Sequence, residues 1–381
     1  MRCKLSDIAE VIMGQSPKSQ YYNSVGVGTP FLQGNRTFGF KRPVFDTYTT
    51  VVTKKASAGD VIMSVRAPVG DINITPVDIC LGRGVCSLRM KNGNQEFLYY
   101  LMKYYMPQLI NKESGTVFGS VNRNDIRGLE IDIPESASSQ REIARYMTML
   151  DDKIELNIAI NNNLLEQVLA IYRHRFVDSA NQLRQTCRAD EYFDISIGKT
   201  PPRKEPQWFS TNPQDATWVS ISDMGTCGLY ISESSEQLTR EAVDRHNVKI
   251  VPDNTVLLSF KLTVGRIAIT DGEMTTNEAI AHFKTNKKEI NEYLYCYLKC
   301  FNYQTMGSTS SIATAVNSKI IKSMPFVVPT DEEITEFHGA AAPMFAKIKA
   351  NQAEISNLIA LRDTLLPKLM SGELDVSDID L

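Results

Sequence analysis

The side chains best placed for chemistry in this sequence are cations and amides set among glycines, and such groups grip and read a surface. The string "QGNRTFGFKR" (33–42) packs Asn35, Arg36, Lys41 and Arg42 among glycines and aromatics. Glycine permits close backbone approach, and the Arg fork can pair bidentately with guanine in the major groove; a solvated hairpin tip is the ordinary alternative. Arg83 stands between Gly82 and Gly84. "SGTVFGSVNRNDIRG" (114–128) carries Ser120, Asn122, Arg123 and Arg127, and "GSTSSIATAVNSKIIK" (307–322) carries Ser310, Asn317, Lys319 and Lys322. Small hydroxyls and amides with flanking cations suit a loop pressed to a polyanionic backbone, although Ser and Asn are also good helix N-caps. Arg66 and Lys261 hold equivalent places before a Val-Gly turn, and Lys199, Arg203 and Lys204 make the segment around "GKTP" locally basic.

Bond-making chemistry has far less support. The histidines, His174, His246, His282 and His338, stand apart from acidic or cysteine partners in sequence, so neither a metal site nor a triad is suggested. The seven cysteines form no CxxC pair, which leaves them as reduced, structural thiols. Neither a GxxxxGK[ST] loop nor an HExxH helix occurs, and "NPQDATW" (212–218) lacks the second proline of an adenine-methyltransferase loop. We therefore expect no catalytic residue, no metal and no cofactor bound by this chain.

The elements that must position these residues come in duplicate, at a spacing of about 195 residues. "GDVIMSVRAPVGDINIT" (59–75) lies over "NTVLLSFKLTVGRIAIT" (254–270) without a gap, and "FLYYLMKYY" (97–105) over "YLYCYLKCF" (293–301). The loops ending at Pro134 and Pro329 also match, sharing Val121-Asn122 and Val316-Asn317, and Gly14 and Gly198 open the two copies in "GQSP" and "GKTP". Each copy reads as hairpins and short strands followed by a helix and a closing strand halted by proline. In this alignment Arg83 falls opposite Glu278. A phosphate anchor would favour a cation in both copies, so the mismatch points to specificity.

After each copy comes a long amphipathic helix. Ile143, Met147, Leu150, Ile154, Asn157 and Leu164 recur at spacings of three and four, and so do Ile348, Asn351, Ile355, Leu358 and Leu365. These are heptad seams, expected to pair with each other as antiparallel coiled-coil helices, with Asn157 and Asn351 as possible register partners and Pro343 as a kink. About 35 helical residues make a rod of about 50 Å.

The duplicated Gly-x-Ser/Thr-Pro opening, the α/β body, the Asn-containing loop before "LEIDIP" and the long helix after it resemble the specificity subunit of a type I restriction-modification system over essentially the whole chain. The resemblance implies a mixed α/β fold: two tandem α/β target recognition domains, 1–137 and 181–330, separated and joined by spacer helices in 138–180 and 331–381. It implies a non-catalytic chain that reads a bipartite site in double-stranded DNA, one half-site per domain. The resemblance further implies two modification subunits docked on this chain, carrying S-adenosylmethionine and methylating adenine N6, and, where restriction is coupled, two restriction subunits using ATP and Mg for cleavage. The alternative is a non-enzymatic protein-binding scaffold with two α/β modules on a coiled-coil rod.

Charge is compatible with the DNA-binding reading. The formal net charge is −3, but residues 1–137 carry 16 Lys and Arg against 12 Asp and Glu, while residues 331–381 carry 4 against 10. The acidic excess thus sits in the tail, away from the candidate loops. Nowhere do eighteen apolar residues run together, and no signal-peptide pattern opens the chain. We expect a cytoplasmic protein with no membrane contact.

Overall fold

A computed structural model describes residues 1–66, 68–110, 119–178, 184–306 and 316–376. The chain divides into two compact units, Met1–Asn157 with Glu354–Leu381, and Ile158–Ala353.

In the first unit an antiparallel sheet runs in the order Ala9–Met13, Val85–Met90, Val61–Val65, Val69–Ile74. Its central strand, Val61–Val65, is buried along its whole length, and strand alternation explains how. Val61, Met63 and Val65 face the core under the helix Gln95–Ile110, whereas Ile62 joins a second, smaller core with Leu32, Ile79, Leu81 and Val85. That smaller core lies against a sheet of short strands, Tyr22–Asn23, Tyr48–Thr49, Thr29–Leu32, Ile79–Leu81 and Lys55–Ala56. Within it Thr29–Leu32 and Ile79–Leu81 pair in parallel.

The second unit repeats the plan. The strands Asp194–Ile197, Ile280–Lys284, Val256–Ser259 and Ile267–Thr270 pair in the matching order, with Tyr230–Ile231 added at the edge. Val256 and Leu258 enter the larger core, under the helix Asn291–Cys300, while Leu257 enters the smaller one. Ala216–Val219 pairs in parallel with Thr275–Thr276. Trp218 and Val219 thus face Thr275 and Thr276 as Phe31 and Leu32 face Cys80 and Leu81. The two copies share a topology as well as a sequence pattern.

Each copy is closed by its own first and last strands. Arg2–Lys4 pairs with Glu130–Asp132, and Thr186–Arg188 pairs with Pro325–Val327, both antiparallel. The expected closing strands at "LEIDIP" and "MPFVVP" are these partners.

Two long helices follow, Ala137–Tyr172 and Asp331–Ser371. The second starts from a reciprocal cap: Thr330 N–H donates to Glu333 (2.9 Å), and Glu333 N–H donates to the Thr330 hydroxyl (3.1 Å). It continues through Pro343, where the sequence led us to expect a kink, as one unbroken helical span. Each unit contains a stretch of both helices, and in each the stretches run antiparallel. In the first unit Asp151 meets Arg362 and Asn157 meets Glu354; in the second Asn161 meets Asn351 and the Tyr172 ring meets Phe337.

Of the expected seam residues, Ile143, Met147, Ile154, Asn157, Ile348 and Asn351 are buried. Leu150, Leu164, Ile355, Leu358 and Leu365 are half-buried. Asn157 and Asn351 do not take each other as register partners. The Asn157 amide donates to Glu354 (2.9 Å), and the Asn351 amide donates to Asn161 (2.8 Å). A buried amide takes the nearest acceptor on the facing helix, and a carboxylate is a stronger one than a second amide.

Candidate nucleic-acid interface

The two Gly-x-Ser/Thr-Pro segments are built into their units by the same bonds. Gly14 N–H donates to Val85 O (3.0 Å) and Gln15 N–H to Leu81 O (2.9 Å); Gly198 N–H donates to Ile280 O (3.1 Å) and Lys199 N–H to Thr276 O (2.9 Å). Glycine is required for steric reasons. A Cβ on Gly14 would lie 2.0 Å from Gly82 O, and one on Gly198 would lie 2.1 Å from the Thr276 hydroxyl. Each segment is thereby clamped to the loop between two strands, Gly82-Arg83-Gly84 in the first unit and Asn277-Glu278-Ala279 in the second.

The hydroxyl two residues after the glycine reaches that loop in both copies. Ser16 accepts the Arg83 backbone N–H (3.1 Å) and donates to the Gln33 side chain (3.2 Å), while Thr200 donates to the Glu278 carboxylate. Gly82 and Gly84 press against residues 32–33, donating to Leu32 O (2.7 Å) and Gln33 O (3.1 Å). The Arg83 side chain is left exposed at the tip. Glu278 is likewise exposed. Partial burial opposes its charge, yet bonds from Thr200 and the backbone, together with nearby Lys261 and Arg203, hold it below the usual carboxylate range. One frame thus presents a five-donor cation in one unit and an acceptor-only carboxylate in the other. These are the groups that pair with guanine and with the cytosine amine.

The other expected candidates fall into two sets, with Lys41 and Ser310 apart from both. Several are exposed and have no salt bridge among the described residues: Arg66, Arg123 and Arg127 in the first unit, and Lys199, Lys204, Lys261 and Lys319 in the second. Arg66 and Ser120 are brought together by an isolated antiparallel bridge, reinforced by Val121 N–H donating to Val65 O (3.1 Å). Lys322, half-buried, shares the short helix Ser318–Lys322 with Lys319.

A second set is engaged within its own unit. Arg36 pairs with Asp46 (2.8 Å), Asn35 donates to Asp71, and Arg42 pairs with Glu155 on the first long helix. Arg203 forks onto Glu236 (2.9 and 2.8 Å) and lies over the Phe209 and Trp218 rings at 4.2 and 4.6 Å. Asn122 caps the helix Arg123–Arg127, accepting from Asn124 N–H (2.8 Å) and Asp125 N–H (3.1 Å), and Asn317 caps its counterpart through Ile320 N–H (3.0 Å). These side-chain oxygens are committed to the helix starts, which is the alternative the sequence left open.

Lys41 requires a correction. Its side chain is 0% exposed and pairs with Glu96 at 3.0 Å, beneath the Tyr99 and Tyr100 rings. A cation sealed there cannot touch a ligand on the surface. Its partner lies 55 positions along the chain, so no local pattern signalled the burial. Ser310 lies outside the described residues.

Sequence reasoning did not select Glu278, Thr200, Ser16 or Gln33. The search for cations passed over Glu278 although the alignment had placed it opposite Arg83, and the hydroxyl shared by "GQSP" and "GKTP" was the signal for Ser16 and Thr200. Among the described residues no group of three or more His, Cys, Asp or Glu is arranged to hold a metal ion. No helix among them is long and apolar enough to cross a membrane.

The model of the type I restriction modification DNA specificity domain matches residues 1–166 and again 184–353. A putative type I restriction enzyme MjaX specificity subunit of Methanocaldococcus jannaschii is 37% identical over 149 residues, which are 39% of this chain and 35% of that one. The type I restriction enzyme MjaIX specificity subunit of the same organism is 24% identical over an alignment covering 99% of this chain and 94% of the relative. A crystal structure of a type I restriction-modification system S subunit from M. genitalium shares the fold, with a TM-score of 0.59 and 15% identity over 97% of this chain and 96% of that one. With two copies of the domain filling most of its length, the chain belongs to the type I restriction modification DNA specificity family, whose members are the non-catalytic, DNA-recognising subunits of such systems.

Proposed function

We propose that each unit reads one half of a bipartite target in double-stranded DNA, and that two modification subunits assembled on this chain methylate adenine N6 in each half. The observation carrying this reading is the pair of matched loops. The same backbone bonds hold both, while the tip changes from Arg83 to Glu278. Preserved framework with a changed reading group is what two half-sites of different sequence require.

In this reading residues 1–137 and 181–330 are the recognition domains, and 138–180 and 331–381 form the spacer that docks the partners. S-adenosylmethionine belongs to the modification subunits. Restriction subunits bring ATP, Mg and cleavage where present, and the complex acts in the cytoplasm. A net charge of −3 is tolerable because partners that clasp the duplex share the neutralisation of its phosphates.

Exchanging residues 14–134 for the matching part of another family member tests the reading. Sequencing that maps methylated adenines should show one half of the motif replaced and the other kept. A folded, active chimera that loses both halves would overturn separate reading by the two units.

A further inference from the structure

We propose that Leu262 is a specificity-determining residue, an apolar tip that packs against a base edge in the half-site read by the second unit. Leu262 is 100% exposed, more than any other large hydrophobic residue among those described. Its φ is +59°, a left-handed conformation that Gly or Asn adopts readily and that crowds the Cβ of leucine. The chain's own fold makes no use of the side chain.

The turn that presents it is firmly built. Ser259 N–H donates to Arg266 O (2.9 Å), Arg266 N–H to the Ser259 hydroxyl (3.0 Å), and that hydroxyl to Thr263 O (2.6 Å). The Arg266 guanidinium bonds Ile221 O (2.5 Å), and Gly265 packs so close to the Tyr303 ring that a Cβ would lie 3.1 Å from it. Leu262 is therefore held out by a fixed scaffold.

Its surroundings favour DNA over a protein partner. Lys261, next in the turn, is exposed, and the Phe260 N–H just before it donates to Ala279 O (2.9 Å), the residue after Glu278. The leucine thus stands beside the reading loop, with a cation suited to phosphate at its side. A protein hot spot sits in an apolar patch ringed by polar residues; here an isolated apolar tip has Lys261 and Thr263, both exposed, as its neighbours. Double-stranded DNA offers such a tip the thymine methyl group in the major groove.

The inference rests on the proposal that the second unit reads its own half-site, and the test separates the two. The full complex with modification subunits is titrated with a duplex carrying the methylation-mapped site and with a scrambled duplex of equal length. Leu262→Asn and Leu262→Gly both suit the left-handed backbone, so unfolding temperature should not fall. We expect cognate affinity to drop about tenfold or more, with scrambled-duplex affinity and salt slope unchanged and only second-half preference relaxed. Unchanged cognate affinity in both variants overturns the proposal. So does loss of DNA binding that size-exclusion chromatography traces to loss of the modification subunits, since Leu262 would then be a protein contact. A wild-type complex that fails to distinguish the two duplexes would instead overturn the half-site reading beneath it.

Discussion

Arg83 and Lys319 separate two kinds of contact that a recognition surface needs. Arg83 extends from a tip fixed by Gly82, Gly84 and Ser16, so its backbone is held in a defined place while the side chain is free to reach outward. Arg83→Ala should cost about 1–3 kcal/mol of discrimination at one or two base pairs of one half-site, measured by competition between single-base variants. Lys319 and Lys322 lie on a short helix capped by Asn317. Lys319→Ala with Lys322→Ala should weaken binding to all sequences alike and flatten the salt dependence. An unaltered preferred motif in the first variant would remove Arg83 from the reading group. The tightly packed tip at Arg83 was legible in the sequence because its flanking glycines announce a close backbone approach. Lys41, in an equally suggestive string, was misread because what buries it is a helix the string does not contain.

At the scale of elements, two buried polar clusters make separate claims on stability. In the first unit Asp151 is 0% exposed and bonds Arg362 (2.9 Å) and the Tyr100 hydroxyl (2.7 Å), joining the two helices and the domain. Removing Arg362 leaves the buried carboxylate only the Tyr100 hydroxyl and Lys103 at 4.0 Å, so Arg362→Ala should cost at the lower end of about 3–5 kcal/mol, read as a shift in urea denaturation of the first unit. In the second unit His282 lies between the Ser196 hydroxyl (3.0 Å from Nδ1) and the Thr276 hydroxyl (2.7 Å from Nε2). Burial lowers its pKa from 6.5 to about 3, with Lys284 adding to the effect. The unfolded chain therefore takes up this proton first. Stability is intact above pH 6.5 and falls by about 1.4 kcal/mol per pH unit on acidification towards pH 3. His282→Gln should remove this contribution to the slope. The chain's two tryptophans, Trp208 and Trp218, both lie in the second unit, so tryptophan fluorescence follows that unit selectively. The main strands and both helices were legible because apolar periodicity runs long in them. The short strands around Tyr48 and Lys55 were not, because two residues carry no period and their pairing is set by distant partners.

At the scale of the whole molecule, the duplication was legible from aligned strings, but the division of the chain was not. Sequence places domains and helices end to end, whereas the first unit is assembled from Met1–Asn157 and the segment beginning at Glu354. Leu366, Leu369, Met370 and Val376 are buried in its main core. At about 1.5–3 kcal/mol each, they contribute on the scale of a whole domain's net stability, about 5–15 kcal/mol. A chain ending at Ala353 should therefore keep a cooperative tryptophan transition while residues 1–157 become sensitive to limited proteolysis. Protection of both parts would show that the first unit does not depend on its distant segment.

The same discontinuity gives the protein an order of assembly in time. Residues 158–353, which hold the second unit, must all leave the ribosome before the segment that completes the first unit appears. At about 5–20 residues per second, the wait is roughly 10–40 s. The half that is translated first is thus finished last. During that interval the surface awaiting Leu366, Leu369 and Met370 is open, and nascent chains should recruit chaperones there until translation passes Met370.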